Sequence, residues 1–163
     1  MVQRIVNPAK ENWALLEFDD LLIAGGTHHS LQFFRISDGY RAEEGIGGID
    51  GKLFHLQRFP TLPLALAAGE NAYIFDPLDK VIIRKVPMPI KQKTLNVHFL
   101  TDEVVCVNSY DRTVAFFDVM SDCSLGTLES QSNYQSMVRL SESRLLAGDS
   151  NGRLDVLEHD VEQ

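Results

Sequence analysis

The sequence predicts an all-β chain, a β-propeller or partial propeller of four four-stranded antiparallel blades. Three observations predict it. One strand motif recurs at nearly constant spacing, turn formers occupy matching places beside it, and no ten-residue stretch has a helical 3.6-residue period.

The recurring strand is Leu31-Gln32-Phe33-Phe34-Arg35, Ala72-Tyr73-Ile74-Phe75-Asp76, Val114-Ala115-Phe116-Phe117-Asp118 and Leu154-Asp155-Val156-Leu157-Glu158. Its copies end 41, 42 and 40 residues apart, and three of the four close on a carboxylate. Upstream of each lies a second strand ending in small or short polar residues: Ala24-Gly25, Ala68-Gly69, Val107-Asn108 and Ala147-Gly148. Between the two come Gly26-Thr27-His28-His29-Ser30, Glu70-Asn71, Ser109-Tyr110-Asp111-Arg112 and Asp149-Ser150-Asn151-Gly152. Gly, Asn and Asp mark hairpins because they accept the positive φ that tight turns need. A further strand precedes each pair, at residues 13–18, 52–57, 94–100 and 135–140. An outer strand follows three of them, at 40–44, 80–86 and 124–128.

Each unit therefore reads as strands a, b, c and d, in one repeat domain spanning 1–163, with repeats near 12–50, 51–92, 93–133 and 134–163. The last repeat lacks strand d. The segment Val2-Gln3-Arg4-Ile5-Val6 alternates like a strand, so residues 1–7 are expected to complete that blade and remove an exposed edge.

The composition, 44% hydrophobic and 23% charged, is that of an ordinary globular domain. There is no apolar run near the length that spans a bilayer and no secretory-type leader, so a cytoplasmic or nuclear protein is expected. The net charge of −8 divides evenly, −4 for residues 1–81 and −4 for 82–163. An acidic field of this kind disfavours nucleic acid. Cys106, within Val104-Val105-Cys106-Val107, reads as a buried small hydrophobe; Cys123 falls in a turn-like context.

The b–turn–c segments carry a family resemblance. Asn108-Ser109-Tyr110-Asp111-Arg112-Thr113-Val114-Ala115-Phe116-Phe117-Asp118 resembles a WD40 repeat, with Phe117-Asp118 where that family has Trp-Asp. Ala147 to Glu158 is similar, with Asn151 at the turn position that usually holds Asp. The resemblance implies a protein-interaction ring in which Asp111 and Asn151 are structural turn residues. It departs in lacking the Gly-His pair before strand a and a Trp at the end of strand c. WD40 rings have seven or eight blades as a rule, and this chain has four units. Closure as a small ring, pairing of two copies into eight blades, and completion by another protein are the three expectations.

Candidate chemistry is sparse. His28-His29 lies in a hairpin turn without ligand-type spacing to other His, Cys or acids, so no metal or cofactor is expected. The carboxylates Asp19-Asp20, Asp102-Glu103 and Glu142 recur at the a–b turn, which points to turn chemistry rather than acid–base catalysis. The run Gly45-Ile46-Gly47-Gly48-Ile49-Asp50-Gly51 does not match a phosphate-binding loop and reads as a flexible connection. Between Lys80 and Leu100 stand five basic residues and no acid: Lys80, Arg84, Lys85, Lys91 and Lys93. They read either as protection of an exposed edge strand or as a docking patch for an acidic peptide or an anionic headgroup.

The expected function is a non-enzymatic protein–protein interaction scaffold or a subunit of a larger assembly. Contacts are expected at Arg84, Lys85, Lys91, Lys93, His28 and His29. The alternatives are a phosphoinositide-binding propeller, although a membrane partner is disfavoured, and an enzyme with a site in the central channel.

Overall fold

In a computed structural model the chain forms four blades of a β-propeller, each a twisted antiparallel sheet in which neighbouring strands follow chain order. The structure describes residues 5, 11–88, 90 and 93–159. Blade 1 holds β1 (Asn12–Phe18), β2 (Leu21–Gly26), β3 (Leu31–Arg35) and β4 (Arg41–Ile46). Blade 2 holds β5 (Leu53–Arg58), β6 (Ala65–Gly69), β7 (Ala72–Asp76) and β8 (Val81–Val86). Blade 3 holds β9 (Thr94–Phe99), β10 (Val104–Ser109), β11 (Thr113–Asp118) and β12 (Cys123–Glu129). Blade 4 holds β13 (Tyr134–Arg139), β14 (Arg144–Asp149) and β15 (Leu154–Glu158) among the described residues. The proposed N-terminal strand lies outside them except for Ile5, which belongs to no strand.

The strands form where alternation puts apolar residues on both faces of a sheet that is covered on both sides. In blade 2 Ala65 and Ala67 pack back on blade 1, whereas Leu66 and Ala68 pack forward on blade 3. Three apolar cores result, joining blades 1 and 2, 2 and 3, and 3 and 4. Cys106 is fully buried in the third, and burial pushes its thiol up to about 12. Cys123 opens β12 and is exposed.

The small residues closing strand b have a specific cause. At Gly26 a Cβ would sit 1.9 Å from the Glu11 carbonyl oxygen, and at Gly69 the same distance from that of Lys52. The start of strand a crosses each glycine too closely for any side chain. A register shift accompanies the crossing in all four a–b pairs, between Asn12 and Ala14, Leu53 and His55, Asn108 and Ser109, and Tyr134 and Ser136.

The carboxylate that closes strand c also has a task. Asp76 Oδ1 accepts the backbone N–H groups of Leu78 and Asp79, and Asp118 Oδ1 those of Met120 and Ser121, each forming the c–d turn. The glycine-rich connection between blades 1 and 2 is anchored rather than free. Ile49 is buried in the first core, Asp50 N–H donates to the Tyr73 hydroxyl at 2.9 Å, and Asn71 donates to the Asp50 carbonyl at 3.0 Å.

Candidate functional site: an aromatic cleft at the channel mouth

The a strands of neighbouring blades pack against one another, and the first residues of β1, β5 and β9 come together at one place. There Trp13 of β1 and Phe54 of β5 occupy the same position in successive repeats, and their rings lie 4.8 Å apart at 32°. They form one wall of a cleft of about 370 Å³ that His55, Lys93, Thr94, Leu95 and Tyr110 complete. Trp13 is 45% exposed and Tyr110 64%, an unusual exposure for large aromatic side chains.

Two ammonium groups stand over this surface. Lys52 Nζ lies 5.6 Å from the Trp13 ring centre and Lys93 Nζ 5.9 Å from that of Phe54, both within cation–π range. His55 is partly buried, and burial, reinforced by the His98 charge, lowers its pKa to about 4. At neutral pH it is therefore an uncharged hydrogen-bonding group. The Thr94 hydroxyl lies behind the wall of the cleft, buried and without a partner among the described residues. The cleft thus offers aromatic faces, two cations and a neutral imidazole.

The basic residues that are neighbours in sequence separate in space. Arg84 makes a two-pronged contact with Asp122 of blade 3, at 2.9 Å, and also donates to the Val119 carbonyl. Lys85 lies 3.4 Å from Asp50 and over the Tyr73 ring. Lys80 bonds Glu43 of blade 1 at 2.7 Å. Lys93 alone of these reaches the cleft, and Lys91 lies outside the described residues.

The histidine pair is likewise split. His29 has φ 55° and its Nδ1 lies 3.1 Å from the Ile49 carbonyl oxygen, while His28 Nε2 is buried without a partner among the described residues. In the β10–β11 turn Asp111 accepts the Ser109 hydroxyl and the Thr113 N–H, and these bonds hold its carboxyl below the usual range. In the β14–β15 turn that task falls to Asp149, whose Oδ1 accepts the N–H groups of Asn151 and Arg153. Asn151 contributes its backbone to this turn, two residues beyond the side chain that organises it.

Two of the a–b-turn carboxylates strap blades together. Asp19 pairs with Arg58 of blade 2 at 2.9 Å, and Asp102 accepts the Thr61 N–H, the Thr61 hydroxyl and the Leu62 N–H across the blade 2–3 boundary. Among the described residues no three His, Cys, Asp or Glu side chains converge as metal ligands.

No protein-family model and no curated protein matches this chain. Solved structures do resemble it. The computationally designed Ika4 protein superposes with a TM-score of 0.78 at 13% identity, over 98% of this chain and 100% of that one. The computationally designed Ika8 protein superposes with a TM-score of 0.74 at 13% identity, over 90% of this chain and 45% of that one. The chain thus spans less than half of Ika8. At such identity the likeness is one of fold.

Proposed function

We propose that this protein is a non-enzymatic interaction module that docks a segment of a partner protein at the aromatic channel mouth. The observation that carries the reading is the cleft itself. Trp13, Phe54 and Tyr110 give a partner rigid apolar area at low entropic cost, and Lys52 and Lys93 add charge at its rim. Such a surface suits a peptide bearing an Asp or Glu beside an aromatic or aliphatic residue. The WD40 resemblance of the b–turn–c segments supports the same class of function, as a scaffold or subunit of a larger assembly.

The same charges weigh against an anionic lipid headgroup on β8. Arg84, Lys85 and Lys80 face Asp122, Asp50 and Glu43, so a headgroup would have to displace protein carboxylates.

Panning a displayed peptide library on the purified chain tests the proposal. Enriched peptides should pair an acid with an aromatic or aliphatic residue. Trp13→Ala, Tyr110→Ala and Lys93→Glu should each weaken their binding by about tenfold or more with an unchanged melt. Absence of enrichment, or binding indifferent to all three substitutions, refutes it.

A further inference from the structure

The repeat makes it possible to ask, position by position, which surfaces are covered in three blades and bare in the fourth. On strand c, Leu31, Ala72 and Val114 pair with equivalent residues of strand b and are fully buried, yet their counterpart Leu154 is 71% exposed. Phe33, Ile74 and Phe116 are at most 5% exposed, whereas Val156 is 58% exposed. On strand a, Leu16 packs on the core shared with blade 2 and Gln57 reaches His98 of blade 3 through a 3.0 Å hydrogen bond, while Val138, at the same register of blade 4, is 53% exposed. All three bare residues lie on the face of blade 4 that, in blades 1–3, packs against the next blade.

Blade 1 shows the complementary gap. Leu56, Val97 and Met137 pack back on the preceding blade and are at most 8% exposed, but Leu15, at the same register, is 64% exposed. The outer part of that face, Ala24 and Phe34, is already buried, so the gap lies along the inner strand.

We propose that the bare face of blade 4 docks against the bare inner edge of blade 1 of a second copy of this chain, and that two such seams close a ring of two copies. The occupant follows from the repeat. In blades 1–3 this face is covered by the backward face of the next blade, and among the described residues the inner strand of blade 1 leaves the corresponding place open at Leu15. A head-to-tail contact repeated about a twofold axis closes after two copies. The superposition on less than half of the Ika8 chain, which is about twice as long, supports the geometry, because the same four-blade arrangement occurs there within a longer chain.

The charges at the seam give the proposal a signature. In two of the three existing joints the a–b-turn acid meets a base at the end of the next strand a: Asp19 meets Arg58, and Arg139 favours the ionised form of Asp102. At the new seam the equivalent residues are Glu142 and Glu17, both exposed acids. Their repulsion weakens the contact at low salt without preventing it. Added salt and Glu17→Arg should therefore both tighten it.

Light scattering on the full chain tests this. Above about 10 µM, a mass of twice 18.3 kDa is expected. Leu15→Asp and Val156→Asp, at exposed positions that leave the melt unchanged, should each weaken assembly by about tenfold or more. Mixing the two variants should partly restore it, because one seam of the mixed pair joins two unaltered faces. A single-chain mass at all concentrations overturns the proposal and assigns the face to another protein. Open chains longer than two overturn the ring. Loss with Val156→Asp but not with Leu15→Asp overturns the head-to-tail contact in favour of blade 4 meeting itself.

Discussion

The joint between blades 3 and 4 contains a shared acceptor whose removal should be strongly non-additive. Asn96 of β9 and Asn108 of β10 are buried, and both side-chain amides donate to the Tyr134 carbonyl, at 3.0 and 2.8 Å. Asn96→Ala removes one bond and leaves a small void, but the carbonyl keeps Asn108; the expected cost is about 1–2 kcal/mol. Asn108→Ala should cost less, about 1 kcal/mol, because it also removes a buried Oδ1 that has no partner. Together the substitutions strip the carbonyl of both donors, and its desolvation penalty of about 1–3 kcal/mol then appears for the first time. The double variant should therefore lose about 4 kcal/mol, exceeding the sum of the singles by about 1–2 kcal/mol. Urea unfolding reads this directly. With a slope of about 2 kcal/mol/M, single variants shift the midpoint by about 0.5–1 M and the double by about 2 M at constant slope. A double variant within about 0.5 kcal/mol of the sum would refute the shared-acceptor account.

Two further outcomes follow from the blade 1–2 joint, beside those given above for the cleft and the seam. Phe75 is fully buried in the first core, edge-on to Phe33 at 6.5 Å, and Phe75→Ala should cost about 3–5 kcal/mol in a thermal or urea melt. A loss under about 1 kcal/mol would mean that this joint is not close-packed. Glu43 bonds Arg35 first and Lys80 second, which lower its pKa from 4.5 to about 2. A carboxyl lowered on folding stabilises the protein above its unfolded value, and this stabilisation is lost as pH falls from about 4.5 towards 2. With a side chain 20% exposed and salt screening, the contribution is about 1 kcal/mol. The urea midpoints of the parent and Glu43→Gln should differ at pH 6, draw together below about pH 4.5 and converge only near pH 2; a pH-independent difference would contradict the assignment.

Much of the fold is legible because one physical constraint repeats. A strand buried on both faces must be apolar at nearly every position, and Ala72 to Phe75 or Val114 to Phe117 can be little else. The recurrence of a carboxylate at the end of strand c was legible too, and Asp76 and Asp118 bind the amides that lie next to them in sequence. What those at the a–b turns reach was not. Asp19 and Arg58 are 39 residues apart, and only the packing of adjacent blades brings them together. The basic run disperses in space for a related reason. Alternation along β8 sends Arg84 towards blade 3 and Lys85 towards Asp50, so a contiguous run in sequence becomes separate ion pairs. The aromatic cleft went unseen, although a signal existed: aligning the repeats on strand b places Trp13 and Phe54 at one position.

The cleft and the open seam share β1, and the recurrent register shift explains why they are nevertheless distinct surfaces. By strict alternation Trp13 would share a face with Leu15 and Glu17, the residues of the bare inner edge. The irregularity between Asn12 and Ala14 breaks that alternation, and Trp13 turns towards Phe54 of the following blade. The same irregularity in β5, between Leu53 and His55, sets Phe54 to receive it. It arises where strand a crosses Gly26 and Gly69, positions at which a Cβ would strike the Glu11 or Lys52 carbonyl. The same shift occurs in blades 3 and 4 opposite Ser109 and Asp149, so the irregularity of strand a, rather than the glycine, turns the aromatic ring out of the blade face and into the cleft. It also means that a substitution at Leu15 reaches the seam without touching Trp13, so loss of assembly and loss of peptide docking are separable outcomes.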